Sequence, residues 1–325
     1  AGRLAARRSF CTHAAPVRSA PAAAPAASIP RRTKKPAFNP KEFTVPPPVK
    51  VPASVPRPSY ADDPQGRPRP LTQEEYGQCK TTRQIESMRR ANGLAAEALV
   101  LACELAKEGV STDEVDRKVA EFVISRGAYP VGINYCGFPR GLCASPNEVA
   151  LHGVPNTRPL ENGDICNFDV TVYHDGAFGD CSAMVCVGDV DEDARRLVDT
   201  TRQCLYAAID TVGPGVKLNS IGKFCEEFAT SRGFGIVAEF CGHFIGAELH
   251  MRPNVLHVTN GNALLLKPGM TFTIEPILIE GGNAEIIGPL EDNWTIISKS
   301  GGWSAQWEHT LLVTEHGADI LTRPP

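Results

Sequence analysis

The chain has 325 residues, of which 42% are hydrophobic and 22% charged, with a formal net charge of −4. This composition is ordinary for a globular enzyme of one large domain or two smaller ones. The charge argues against a nucleic-acid partner, and no apolar run approaches the ~20 residues of a membrane span.

The first 40 residues carry Arg3, Arg7, Arg8, Arg18, Arg31, Arg32, Lys34 and Lys35, with no acid before Glu42. Basic, Ala/Ser-rich and acid-free, this stretch fits an import segment for the mitochondrion or another organelle matrix. The alternative is a disordered basic tail on a cytoplasmic protein. Val45 to Pro58 reads as a stiff, extended proline-rich linker. Residues 1–75 are therefore expected to be a disordered extension, and 76–325 the folded domain. The 11 cysteines are scattered, with no C-x-x-C pair. That excludes a disulfide framework or zinc knuckle and fits packed thiols in a reducing compartment.

Thr81-Thr-Arg-Gln84 predicts a helix N-terminus, and apolar residues at helical spacing carry it to about Lys107. Ser111-Thr-Asp-Glu114 opens a second helix that stops at Gly127. After a loop-rich stretch comes Gly163 to Asp180, read as two strands around Asp175-Gly176, a hairpin-turn pair. Alternation puts Asn167, Asp169 and Thr171 on one face and Phe168, Val170 and Val172 on the other. A two-residue turn pairs 171 with 180; a four-residue turn pairs 169 with 180. Both registers put the Asp169 and Asp180 carboxylates on one face, where they persist if one is protonated or a cation lies between them.

Beyond Val190 the order recurs, with helices from Arg195 to about Thr211 and from Leu218 to Thr230. The halves, about 76–190 and 191–325, align without a gap at an offset of 106 residues. Arg89-Arg90 falls on Arg195-Arg196, Gly109-Val110 on Gly215-Val216, Ser125-Arg126-Gly127 on Ser231-Arg232-Gly233, and Asp169 on Glu275. So many matches at one shift point to duplication. They predict a pseudo-twofold α/β (α+β) domain whose helix–helix–strand halves share a central sheet. Thr271, Thr273 and Glu275 then share a face that approaches the Asp169/Asp180 pair.

His243, His250, Glu308 and His152 compete for the same spot. Asp169, Asp180, Glu275, Glu308 and His243 make a set of four carboxylates and one imidazole. That is too much negative charge for one divalent ion and suits two ions at ~3.5–4 Å sharing a hydroxide. A centre of this kind activates water against a scissile carbonyl.

The motifs N-F-D-V-T-V with its following G-D, C-G-H, T-F-T-I-E-P and S-A-Q-W-E-H-T resemble the metal-ligand motifs of the methionine aminopeptidases, type 1. The resemblance runs from about Pro56 to Arg323. It implies the pita-bread fold, a curved antiparallel sheet flanked by helices. It implies an aminopeptidase that removes the initiator methionine from nascent chains when residue two is small, using two divalent ions (Co, Mn, Fe or Zn). Asp180 and Glu308 would bridge the ions. Asp169 would complete one, His243 and Glu275 the other, with Glu275 also the acid/base. His250 would hydrogen-bond the substrate carbonyl and His152 would contact it near the scissile amide. Tyr135, Phe138, Cys143 and Trp294 align with the methionine pocket. A monomer acting on nascent N-termini, with the ribosome nearby, is the expected setting. Phe244 stands where the family usually has Gly, and Leu249 where it usually has Phe. Phe244 is expected to narrow the entrance or move the pocket wall, and Leu249 to remove an aromatic face. The competing readings are an X-Pro peptidase of the same fold and a non-catalytic binding protein.

Overall fold

The computed structural model describes residues 38–323. Helices α1 (Thr82–Leu105) and α2 (Thr112–Ser125) precede the hairpin; α3 (Glu192–Ile209) and α4 (Asn219–Thr230) follow it. Their starts obey local chemistry. Thr81 and Gln84 cap each other reciprocally, as do Ser111 and Glu114, satisfying amides that have no partner within the helix. Asp191 accepts from the Ala194 amide at 2.9 Å, so α3 begins a few residues earlier than its apolar periodicity indicates.

The main sheet has nine strands among the described residues. In chain order they are β1 (Tyr129–Pro130), β2 (Cys143–Pro146), β3 (Ile165–His174), β4 (Ala177–Cys186), β5 (Gly242–Phe244), β6 (Met251–Val255), β7 (Thr271–Ile274), β8 (Glu308–Val313) and β9 (Ala318–Ile320). The path across it is β1-β3-β4-β8-β7-β5-β6, with β2 beside β3 and β9 beside β8. The central pair β4–β8 belongs to different halves of the sequence, and β3 and β7 flank it symmetrically. This is the pseudo-twofold arrangement that the 106-residue offset predicts.

Each half has its own apolar core. Val115, Val119, Phe168, Val170 and Cys181 belong to the first. Leu205, Ile221, Phe272 and Leu311 belong to the second. The apolar face of β3 is thus turned toward the helices, as alternation requires. Helix α1 lies directly on β4. A Cβ at Gly179 would come within 2.5 Å of the Ala91 backbone, so only glycine permits this approach. Just beyond, the buried Asn92 accepts from the Asp180 amide at 3.3 Å.

Residues 38–75 depart from the expected disorder and form a strap packed on the folded domain. Val51, Val55 and Tyr60 are buried in an apolar cluster with Met88, Tyr129 and Phe178. The buried Arg140 donates to Pro46 O at 2.6 Å and Pro47 O at 3.2 Å, and is itself paired with Asp113 and Asp116. An extended proline-rich strand lacks amide donors but presents free carbonyls, and a buried guanidinium uses them. Of the import segment expected in the first 40 residues, residues 1–37 lie outside the described residues.

Candidate metal centre

The hairpin takes the shorter of the two registers. Asp175 and Gly176 form the turn, both with positive φ (52° and 77°), and Thr171 lies opposite Asp180. Asp169 faces Ser182, and Ser182 in turn faces Glu308 across the seam between the halves. One row thus runs Asp169–Ser182–Glu308, with Asp180 two residues along β4 on the same face. The small serine leaves room between the carboxylates.

The second half supplies the rest. Ligating atoms of Asp180, His243 and Glu308 lie within 4.8 Å of one another, and all three residues are buried. His243 Nε2 is 3.5 Å from Asp180 Oδ2 and 3.6 Å from Glu275 Oε1. His243 Nδ1 lies 3.2 Å from Phe244 O, a contact that occupies Nδ1 as donor and leaves Nε2 for the cluster. Asp169 and Glu275 are half-buried and open onto the cleft.

Neighbouring groups fix the carboxylates. Thr171 Oγ1 donates to Asp180 Oδ1 at 2.8 Å and Thr273 Oγ1 to Glu275 Oε1 at 2.7 Å. Gln306 Nε2 donates to Glu275 Oε2 at 3.2 Å. Thr310 Oγ1 donates to Asp180 O at 2.8 Å, stitching the seam. The Glu275 amide donates to His257 Nε2 at 3.0 Å. His257 and Gln306 carry no local sequence signal for this role. Thr171 and Thr273 do, because alternation places each on the same face as a carboxylate.

Electrostatically the cluster asks for cations. Asp169 and Glu308 are held well above the usual carboxylate range, by burial first and then by Asp180 and Glu275. Burial pushes Glu275 up to about 7 against the pull of His243. Burial alone would depress His243, yet its bond to Asp180 and the charge of Glu275 raise it overall. The buried Asp169 Oδ1 and Ser182 Oγ have no hydrogen-bond partner. Orphaned buried oxygens beside mutually repelling acids are the environment in which a hard divalent ion is favourable.

Around this centre the structure gathers the other expected residues. The His250 ring stands 4.4 Å from that of His243, and its Nδ1 is 2.6 Å from the Tyr135 hydroxyl. Phe138 meets Trp294 edge-on at 5.1 Å. Trp294 lies 6.2 Å from His152, which also touches Phe240 at 5.4 Å, an aromatic that the sequence did not single out. Cys143 lies opposite Asp169 in the β2–β3 pairing. Burial holds His152 down at about 4. His250 opens onto the cleft, and desolvation on its protein side, with His243 and His152 near, also keeps it neutral.

One expectation is corrected. Phe244 does not narrow the entrance. It has no exposed surface, stacks on Phe272 at 5.5 Å and packs with Met251 and Leu311 in the second-half core. Strand alternation turns it away from His243. Leu249 packs in the apolar cluster of Tyr60, Ile245 and Val55, against which Tyr135 also packs.

Comparison with known proteins agrees with this geometry. The model of metallopeptidase family M24 matches residues 86–315. Methionine aminopeptidase 1D, chloroplastic/mitochondrial, of Arabidopsis thaliana is 42% identical over 273 residues, 84% of this chain and 76% of the relative. Methionine aminopeptidase 1D, mitochondrial, of Danio rerio is 42% identical over 275 residues, 85% and 80% of the two chains. The crystal structure of methionine aminopeptidase from Rickettsia prowazekii superposes with a TM-score of 0.74 at 40% identity, covering 76% of this chain and 99% of that one. A prolidase from Pyrococcus furiosus, at 23% identity and TM-score 0.60 over 76% of this chain and 66% of its own, shares the pita-bread fold. Matched along most of its length and most of its relatives' length, the chain belongs to metallopeptidase family M24, on the type 1 methionine aminopeptidase branch.

Proposed function

We propose that the protein hydrolyses the N-terminal methionine from polypeptides whose second residue is small, using two divalent cations. The observation that carries this reading is the convergence of Asp169, Asp180, Glu275, Glu308 and His243 from both halves onto one cleft. Asp180, Glu308, Asp169, His243 and Glu275 would hold the cations, with Asp180 and Glu308 the candidates to be shared between them. Cations held there would acidify a water and polarise the scissile carbonyl.

The remaining roles belong to the chain itself. Glu275, at the edge of the carboxylate set, would accept a proton from the attacking water and return it to the leaving amine. His250, held neutral, donates a hydrogen bond to the carbonyl oxygen as charge develops. His152 contacts the substrate near its scissile amide. Tyr135, Phe138, Cys143 and Trp294 form the walls for an unbranched thioether, which adapts to aromatic edges.

The decisive experiment compares Met-Ala-Ser with Ala-Pro-Ala after chelation and after adding Co²⁺, Mn²⁺, Fe²⁺ or Zn²⁺ singly. Methionine release that stops on chelation and returns with metal is expected. Metal-loaded protein that cleaves only Ala-Pro-Ala would establish the X-Pro alternative. A metal-incubated sample that binds no divalent ion would favour a non-catalytic role.

We also read residues 1–75 as an import segment followed by the strap. The support is the acid-free basic stretch and the organelle names of the relatives. A fluorescent fusion of residues 1–75 should enter mitochondria or plastids; a cytosolic signal would refute it.

A further inference from the structure

A continuous set of contacts runs from the strap into the cleft. Tyr60 has no exposed surface. Its hydroxyl donates to Val131 O, and its ring stands edge-on to Tyr135 at 5.0 Å and 88°. In the turn that follows, Asn134 Nδ2 donates to Ala61 O at 3.2 Å and Asp63 O at 2.9 Å. The Cys136 amide donates to Gly66 O at 2.8 Å. Gly66 has φ +64°, and a Cβ there would sit 1.5 Å from Asn134 O. Both neighbours of Tyr135 are therefore tied to the strap. Both also adopt left-handed backbone, Asn134 at φ 65° and Cys136 at φ 50°, which non-glycine residues hold only when their surroundings impose it. At the other end, the Tyr135 hydroxyl meets His250 Nδ1 at 2.6 Å.

We propose that Tyr135 is a positioning residue for His250, and that Tyr60 and the turn to Gly66 position Tyr135. A phenol that donates to Nδ1 requires the neutral imidazole to carry its proton on Nε2. His250 then offers a donor to the substrate oxygen rather than an acceptor. The strap reaches His250 through the Tyr60 ring against Tyr135 and through its hydrogen bonds to Asn134 and Cys136. This deepens the methionine-release reading and rests on it for the identity of the oxygen that His250 meets.

The test uses the full chain with Tyr135→Phe and Tyr60→Leu. Tyr135→Phe removes one hydroxyl from a half-buried ring. It should lower kcat on Met-Ala-Ser about tenfold to hundredfold, the range for groups that orient a functional side chain, with KM within about twofold. In ¹⁵N-histidine spectra of metal-free protein, His250 should show one tautomer, protonated at Nε2, in the parent and a mixture in Tyr135→Phe. Tyr60→Leu should shift kcat and tautomer in the same direction. Should it not fold, Tyr60→Phe, which loses only the bond to Val131 O, takes its place with a smaller shift in the same direction. A Tyr135→Phe variant with kcat within twofold of the parent, or an unchanged tautomer, overturns the proposal. Unchanged values in the folded Tyr60 variant overturn the strap's part in it. Should the parent release no methionine, the functional reading fails, and the tautomer measurement still decides this one.

Discussion

Thr171 donates to one oxygen of Asp180 while the other faces His243 at 3.5 Å. Groups that orient ligands in this way are worth about 10–100-fold in metal affinity. Thr171→Val keeps the shape and removes the donor, so Mn²⁺ or Co²⁺ affinity measured by titration calorimetry should fall in that range with the fold retained. Unchanged affinity would show that Asp180 is held by the backbone alone. Alternation in the sequence already put Thr171 beside the carboxylates, but its bond to Asp180 depended on which turn register the hairpin adopts. Contacts such as Tyr135 with His250, 115 residues apart, follow no local rule and were legible only through the resemblance, which gathers both residues at one cleft without pairing them.

Helix α1 opens beside a buried cation. Lys80 is 7% exposed and, among the described residues, its ammonium meets the Met251 sulfur at 3.7 Å. Burial lowers it from 10.5 to about 8. Below pH 8 the lysine is charged in both folded and unfolded chains, and its burial costs about 3 kcal/mol. Between pH 8 and 10.5 the folded state sheds the proton first, so stability from this group rises with pH. Lys80→Met should therefore raise Tm at pH 7 and flatten the rise in alkali; a lower Tm at pH 7 would contradict this. At this scale the sequence was most informative. Capping boxes, the Asp175-Gly176 turn and the β3 alternation are local chemistry, and each appears where expected. The strap was not legible, because proline-rich composition looks the same whether its carbonyls face water or Arg140. Phe244 was misplaced for a related reason: proximity in sequence to a ligand says nothing about which side of a strand a residue takes.

For the molecule as a whole, the duplication was legible as the 106-residue offset, and its outcome is a centre split between halves. Cations bound at the proposed centre would be held by residues of both halves. Loading at a hundred times Kd should stabilise the fold by about 2.7 kcal/mol, read as a rise in Tm over the chelated protein. Asp180→Asn should abolish most of that rise. The gap should widen with pH. In metal-free protein Glu275 keeps its proton up to about 7, whereas the unfolded chain loses it near 4.3. The folded state thus binds more protons between those values, and metal-free stability falls as pH climbs through them. A chelation-induced drop in Tm that is larger at pH 5 than at pH 7.5 would contradict this. The pairing of β8 with β4 also has a bearing on biosynthesis. Glu308 follows Asp169, Asp180, His243 and Glu275 in the chain, so a polypeptide made only that far holds an incomplete set of acids. On the proposed reading, a polypeptide cut short before β8 would lack the carboxylate that joins the two halves of the centre.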